Sequence, residues 1–298
     1  MRRQTPDVER IWTVLDLVNW GTEYFERKGV DSPRLTIELM LCDVLDVRRL
    51  QLYTDHERPL TKEELSVLRA YVRRRAEREP LQYILGKADF YGLSFTVDPN
   101  VLIPRPETEI IVDRAIRLLR EVGGLSPRCL DVGTGSGCIP VSIAVHDPTS
   151  VWVGIDVHNG ALEVARRNAE AHAVGSRVTF TTMDFLADLP SGTFDLITKN
   201  PPYIPLVEIH ELEPEVRDHE PLTALTDDLD GFTFYRRFAA AAPKILSPTG
   251  TAFLEIGYGQ STAILALMTA GGLLCTIIED LAGIPRVAKI SWGSVTKS

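Results

Sequence analysis

Several features are scarce in this 298-residue sequence, and each scarcity closes off a class of protein. No run of about 18 consecutive apolar residues occurs, so no membrane-spanning helix is expected. The opening MRRQTPDVER has no apolar stretch of the secretory type, which makes cytoplasmic residence the expectation. The four cysteines, Cys42, Cys129, Cys138 and Cys275, are scattered and form no CxxC pair. That spacing argues against a zinc site and against a disulfide framework. Apolar neighbours around each predict buried free thiols. Basic charge is also short: 32 Lys and Arg face 41 Asp and Glu, for a net charge of −9. The imbalance falls wholly after residue 85, since the first 85 residues carry 15 of each sign. A protein that grips long nucleic acid usually shows a basic face, so stable nucleic-acid binding is not expected. Arg73, Arg74 and Arg75 make the densest basic cluster. On a helix they point in different directions, which predicts a solvated face. There is no internal repeat and no low-complexity tract.

What is present begins with a helical pattern. Ile11, Val14, Leu15 and Val18 recur at helical spacing, as do Leu35, Leu39, Cys42 and Leu45. Ser32-Pro33 resembles an N-cap followed by proline at the first helical position. Thr61 with Glu64 makes a capping box ahead of Leu65 and Leu68. Residues 1–84 are therefore expected to form a small helical domain. At Glu79-Pro80 the pattern changes. Phe90-Tyr91-Gly92 and the alternating Ser94-Phe95-Thr96-Val97 predict a short hairpin or an extended connector, and VLIPRPETE at 101–109 an extended path. Residues 85–106 read as a linker and 107–298 as a second domain, whose first helix opens at Glu107 or Thr108.

From residue 128 strand and helix alternate. The predicted strands are Arg128–Val132, Val151–Asp156, Val178–Thr182, Phe194–Thr198, Thr251–Ile256, Leu274–Ile278 and Val287–Trp292. Such alternation predicts an α/β fold, a mainly parallel sheet covered on both faces.

The first of these strands runs into LDVGTGSGCIP, residues 130–140. Gly133, Gly135 and Gly137, interleaved with Thr134 and Ser136 and preceded by Asp131, form a strand-to-helix loop that lets a ligand approach the backbone. The following helix start offers free N–H groups. The spacing is GxGxG, not the GxGxxG of dinucleotide sites, and the Lys of a P-loop is missing. Asp156 ends the second strand, about 20 residues on, where a carboxylate can accept the hydroxyls of a ribose. A glycine loop with a strand-terminal acid points to a nucleoside cofactor. Asp184-Phe185, after the third strand, could hydrogen-bond and stack an adenine, or could equally be a capping acid beside a core aromatic.

After the fourth strand comes NPPY, Asn200 to Tyr203. Pro201 biases Asn200 toward an extended backbone, and Pro201 and Pro202 donate no hydrogen bond. The Asn200 side-chain oxygen and the Pro201 carbonyl could both accept from one NH₂ group, with Tyr203 as a flat wall. A planar, conjugated NH₂ fits such a corner: a side-chain amide or a nucleobase amine. Oriented acceptors relieve the positive charge that builds on an attacking nitrogen, an effect worth roughly 3–4 kcal/mol per group.

DVGTGSG, GID and NPPY resemble the class I S-adenosylmethionine-dependent amino-methyltransferases. PLQYILG, FYGLSFTVDPNVLIPRPETE, LDVGTGSGCIPVSIA, NPPYIP, EVRDHEPLTAL and DLAGIPRV together are similar to the release-factor glutamine methyltransferases, the PrmC/HemK family. The resemblance implies a Rossmann-like, seven-stranded, mostly parallel sheet with a small N-terminal helical domain. It implies N5-methylation of the glutamine in the Gly-Gly-Gln motif of peptide-chain release factors, with S-adenosylmethionine as cofactor. It assigns Asp131, Gly133, Thr134, Gly135, Ser136, Gly137, Asp156, Asp184, Phe185 and Asn200 to the cofactor, and Asn200, Pro201, Pro202 and Tyr203 to the glutamine amide. The helical domain would help dock the release factor. The chain departs from the family's usual pattern at Asp227-Asp228, where a Gly-Gly pair is common, and at Lys199, where a small residue is common. The alternative is a nucleic-acid amino-methyltransferase acting on a flipped adenine or cytosine; the acidic balance weighs against it. A nicotinamide oxidoreductase would need the GxGxxG spacing, and a non-catalytic scaffold would leave the NPPY corner without a purpose.

Overall fold

The computed structural model describes residues 11–122 and 126–293. The MRRQTPDVER segment lies outside them. Two compact units divide at residues 85 and 86. The first contains α1 (Val14–Arg27), α2 (Pro33–Leu45), α3 (Arg49–Thr54), α4 (Lys62–Ala76) and α5 (Leu81–Leu85). Helix α1 starts at a capping box in which Asp16 N donates to Thr13 Oγ1 and Thr13 N donates to Asp16 Oδ2. The Thr61–Glu64 box opens α4 in the same way. Ser32 does occupy the N-cap of α2, with Pro33 behind it, but its backbone is left-handed and its side chain makes no cap bond. The faces that pack together carry Val14, Leu17, Phe25, Ile37, Met40, Leu41 and Leu68.

The arginine cluster is not a uniformly solvated face. Arg73 is exposed, but Arg75 is buried and donates to the Glu79 carbonyl. Arg74 grips the Glu79 carboxylate at 2.5 and 2.8 Å and reaches the Tyr83 carbonyl. The Arg74 and Arg75 groups are consumed in closing the end of α4 onto the turn before α5.

The second unit opens with the hairpin β1 (Lys87–Phe90) and β2 (Leu93–Thr96), joined through Tyr91 and Gly92, both with positive φ. A two-residue turn of this kind matches the twist of the flanking strands. Then follow α6 (Glu109–Val122), β3 (Arg128–Val132), α7 (Cys138–His146), β4 (Val151–Asp156), α8 (Asn159–Ala171), β5 (Val178–Thr182), β6 (Phe194–Lys199), α9 (Pro214–Arg217), α10 (Leu222–Leu225), α11 (Thr233–Ile245), β7 (Leu246–Glu255), α12 (Ser261–Ala270), β8 (Leu273–Glu279) and β9 (Pro285–Trp292). The seven-stranded sheet has the order β5-β4-β3-β6-β7-β9-β8. Pairing is parallel from β5 to β7, and β9 runs antiparallel to both neighbours.

Side chains alternate across this sheet, so adjacent residues enter different cores. Cys129, Trp152, Leu196 and Phe253 pack with α6 and α7. Leu130, Ile155, Ile197 and Leu254 pack with α11 and α12. Both faces are covered, which is why the central strands read as near-continuous apolar runs. The cysteines are free, as expected, but only Cys129 and Cys138 are buried; Cys42 and Cys275 are half-buried. Among the described residues no helix is long and apolar enough to cross a membrane.

Candidate active site

The strand alternation puts the ends of β3, β4 and β6 on one edge, where open α/β sheets receive ligands. A cavity opens there, enclosing about 970 Å³ with its solvent-filled mouth included. Gly133, Thr134, Gly135, Ser136, Asp156, Asp184, Phe185, Asn200 and Pro202 line it. Asp131, Gly137, Pro201 and Tyr203 are not part of its lining. The segment before α6 contributes Leu102, Pro104, Arg105 and Thr108, and Lys199 and Phe234 complete the inner wall.

The glycine loop is held from beneath. Gly133 N and Thr134 N both donate to the Ile155 carbonyl, at 2.8 and 2.9 Å. Asn168, buried, donates to the Ser136 carbonyl at 2.9 Å and exchanges bonds with the Thr96 backbone, tying the hairpin to the loop. Gly135 has φ +53, and a Cβ there would meet only open space. The loop's crest is therefore bare backbone facing the cavity. No side chain caps the start of α7.

Asp156 accepts one backbone bond on each oxygen, from Gly135 N and His158 N, both at 3.0 Å. A carboxylate has about four acceptor positions, so both oxygens keep capacity for a ligand hydroxyl. Phe185 is fixed by Arg237, which donates to its carbonyl at 2.9 Å. Thr134 Oγ1 and Asp131 Oδ2 are both buried, and the hydroxyl favours the charge on that carboxylate. A Cβ-free crest and a half-engaged strand-end carboxylate together fit a nucleoside-bearing ligand.

Charge beneath the loop is tightly packed. Burial pushes Asp131 up to about 6, while the nearby Thr134 and Thr198 hydroxyls and Lys199 pull the other way. Lys199 is 3 % exposed; its Nζ donates to the Val132 carbonyl and lies 4.0 Å from the Phe234 ring centroid. Burial lowers it to about 8, against the pull of Asp131 and Asp156.

The NPPY corner is fastened at every side. Asn200 Nδ2 donates to Thr108 Oγ1 at 3.1 Å, and Thr108 donates to Glu255 Oε2 at 2.6 Å. The Tyr203 hydroxyl donates to Glu255 Oε1 at 3.3 Å, and the Tyr203 carbonyl accepts Gln260 Nε2 at 2.9 Å. Gly231, with φ +80, lies so close to the Tyr203 carbonyl that any Cβ would overlap it. Asp227 holds that turn by accepting from Leu229, Gly231 and Thr233 amides. The unusual Asp pair thus includes a loop-closing acid. Among the described residues neither Asn200 Oδ1 nor the Pro201 carbonyl accepts a hydrogen bond.

Two acids went unnoticed in the sequence. Glu220 accepts from Ile103 N at 3.1 Å and from Arg105 at 2.5 Å, pinning the IPRPE segment over the cavity. Glu255, 2 % exposed, joins Thr108 and Tyr203. Its position at the end of a strand on the ligand edge was the available signal.

A glycine loop, a strand-end acid and an Asn-Pro-Pro-Tyr corner on this sheet define a methyltransferase domain. The comparisons agree. Residues 109–211 match the methyltransferase small domain, and residues 16–86 match the PrmC N-terminal domain. The release factor glutamine methyltransferase of Chlorobaculum tepidum is 47 % identical over 285 residues, 93 % of this chain and 97 % of that one. The enzyme of the same name from Geobacter sulfurreducens is 43 % identical over 278 residues, 93 % and 96 % of the two chains. Among solved structures, the release factor-specific protein-(glutamine-N5) methyltransferase of Alicyclobacillus acidocaldarius is 31 % identical, covering 67 % of this chain and all of that one at a TM-score of 0.40. This chain belongs to the release factor glutamine methyltransferase family.

Proposed function

We propose that this chain transfers a methyl group from S-adenosylmethionine to the side-chain amide nitrogen, N5, of the glutamine in the Gly-Gly-Gln motif of peptide-chain release factors. The observation that carries the reading is Asn200. Its Nδ2 is engaged by Thr108, which leaves Oδ1 as an acceptor beside Pro202 on the cavity wall. Bound S-adenosylmethionine supplies an electrophilic methyl group on a sulfonium.

Gly133 to Gly137 would give the cofactor a backbone cradle, Asp156 would accept its ribose hydroxyls, and Asp184 and Phe185 would bound its base. Asn200 Oδ1 and the Pro201 carbonyl would accept the two N–H bonds of the glutamine amide. An amide nitrogen is a weak nucleophile because its lone pair is delocalised. Two acceptors hold it in line and disperse the positive charge that grows on it, each worth roughly 3–4 kcal/mol. Alignment contributes up to about 7–11 kcal/mol more. The alkylated nitrogen is acidic and sheds its proton to solvent, so no strong base is required. Tyr203 and Pro202 keep the corner stiff. Residues to 85, matching the PrmC N-terminal domain, would dock the release factor, and the enzyme would work in the cytoplasm with that substrate.

Incubation with labelled S-adenosylmethionine and either release factor or nucleic acid tests the reading. Mass spectrometry of tryptic peptides should localise one methyl group to one glutamine. Label entering nucleic acid alone would overturn it.

A further inference from the structure

Glu255 does not line the cavity, yet it sits one hydroxyl away from the residue that does the orienting. The chain runs from Glu255 Oε2 to the Thr108 hydroxyl at 2.6 Å and from Thr108 Oγ1 to Asn200 Nδ2 at 3.1 Å. A hydroxyl has a single proton to give. An ionised Glu255 can only accept, so the Thr108 proton points at Glu255 and the Thr108 oxygen must accept from Asn200. That turns the Asn200 NH₂ inward and its Oδ1 toward the cavity. A protonated Glu255 can donate to Thr108 instead. Thr108 then turns its proton toward Asn200, which is satisfied only by the amide oxygen. Asn200 flips and presents NH₂ to the cavity, where it meets an incoming NH₂ donor to donor.

We propose that ionised Glu255 is a positioning residue that sets the direction of the Glu255–Thr108–Asn200 chain, and so decides which end of the Asn200 amide faces the substrate nitrogen. The identity of that substrate rests on the function proposed above; the polarity of the chain does not.

The surroundings of Glu255 put its ionisation within reach of neutral pH. Burial is the main influence and raises it to about 7. The Thr108 and Tyr203 hydroxyls and Arg286, from β9, favour the charge, and Glu107, from the turn before α6, opposes it. Arg286 is itself divided between Asp280 at 3.0 Å and Glu107 at 3.7 Å. Tyr235, from α11, gives its hydroxyl to the Glu255 backbone carbonyl at 2.6 Å, and Cys138, from α7, is a neutral thiol pushed up to about 12 by burial.

The test uses the full chain labelled with ¹⁵N. The Asn200 side-chain NH₂ resonances should move through a midpoint near neutrality in the wild type and stay fixed in Glu255→Gln. Thr108→Val, which keeps the shape and deletes the hydroxyl, should also abolish the movement, and it serves if Glu255→Gln does not fold. With saturating S-adenosylmethionine and release factor, wild-type kcat should fall about tenfold from about pH 8 to about pH 6, and the fall should vanish in both variants while cofactor KM holds. An Asn200 NH₂ signal indifferent to pH in the wild type, or an acid limb that survives in Glu255→Gln, overturns the proposal. A wild type that methylates no release factor sinks the proposed function, and the resonance measurement still decides this inference.

Discussion

Lys199 Nζ lies 3.1 Å from the Val132 carbonyl, directly under the first glycine of the loop. The ammonium braces the β3–α7 junction and offsets Asp131 behind it. Lys199→Met keeps the stem packed and deletes the charge. Burial already holds this ammonium below its ordinary value, so deleting it relieves that penalty as well as losing the bond, and the net cost in urea unfolding should fall below the about 1.5–3 kcal/mol of a charge-assisted bond. Asp131, without its cation, should titrate above about 6 by carboxyl NMR.

Asp156 spends one acceptor position on each oxygen on backbone amides and leaves the others open. Asp156→Ala should weaken S-adenosylmethionine binding by about 1.5–3 kcal/mol, about ten- to a hundredfold in Kd by calorimetry. An unchanged Kd would remove the ribose role.

Asn200→Ala removes the side-chain acceptor from the corner and leaves Asp156 and the glycine loop in place. Turnover should fall about 10²–10³-fold, with cofactor affinity changing far less. Single-turnover methylation and calorimetry separate the two effects.

Gly231→Ala should injure the corner from outside the cavity. The residue has φ +80 and no room between it and the Tyr203 carbonyl. Strain at a left-handed position costs about 1–3 kcal/mol, and relief requires Tyr203 to shift. Activity should fall with S-adenosylmethionine binding retained, as read by kinetics and calorimetry.

Glu255 also predicts a pH-dependent stability. Its ordinary value is 4.5, and burial raises the folded value to about 7. Below the unfolded value both states are protonated and no penalty applies. As pH rises from 4.5 through about 7 the unfolded state ionises first, so the folded state loses stability, by about 3 kcal/mol. Glu255→Gln is free of this loss, so its stability relative to wild type should grow across that window in denaturant titrations.

The sheet was largely legible because its central strands are covered on both faces. β3, β4 and β5 run where the apolar stretches place them. β7 begins earlier than expected, at Leu246, because Pro248 and Gly250 read as a turn while Leu246 pairs with Phe194 across a register shift. Proline is tolerated at such an irregularity. Nothing local announces that β9 inserts between β7 and β8, since strand order is a matter of tertiary packing. In the site, Gly135, Asp156 and Asn200 were visible from their chemistry at strand ends. Glu220 looks like an ordinary acid in sequence and Glu255 shows only as an acid near a strand end; the bonds to Ile103, Arg105 and Thr108 that give them meaning span 115–147 residues.

Those long separations bear on how the enzyme comes into being during its own synthesis. The segment carrying Ile103, Arg105 and Thr108 leaves the ribosome early, but the acids that fasten it, Glu220 and Glu255, emerge far later. A nascent or truncated chain that stops short of β7 has its glycine loop but lacks both a strand of the sheet and the Glu255 carboxylate that accepts from Thr108 and Tyr203. Competence to modify a substrate therefore arrives only once the polypeptide is almost fully made.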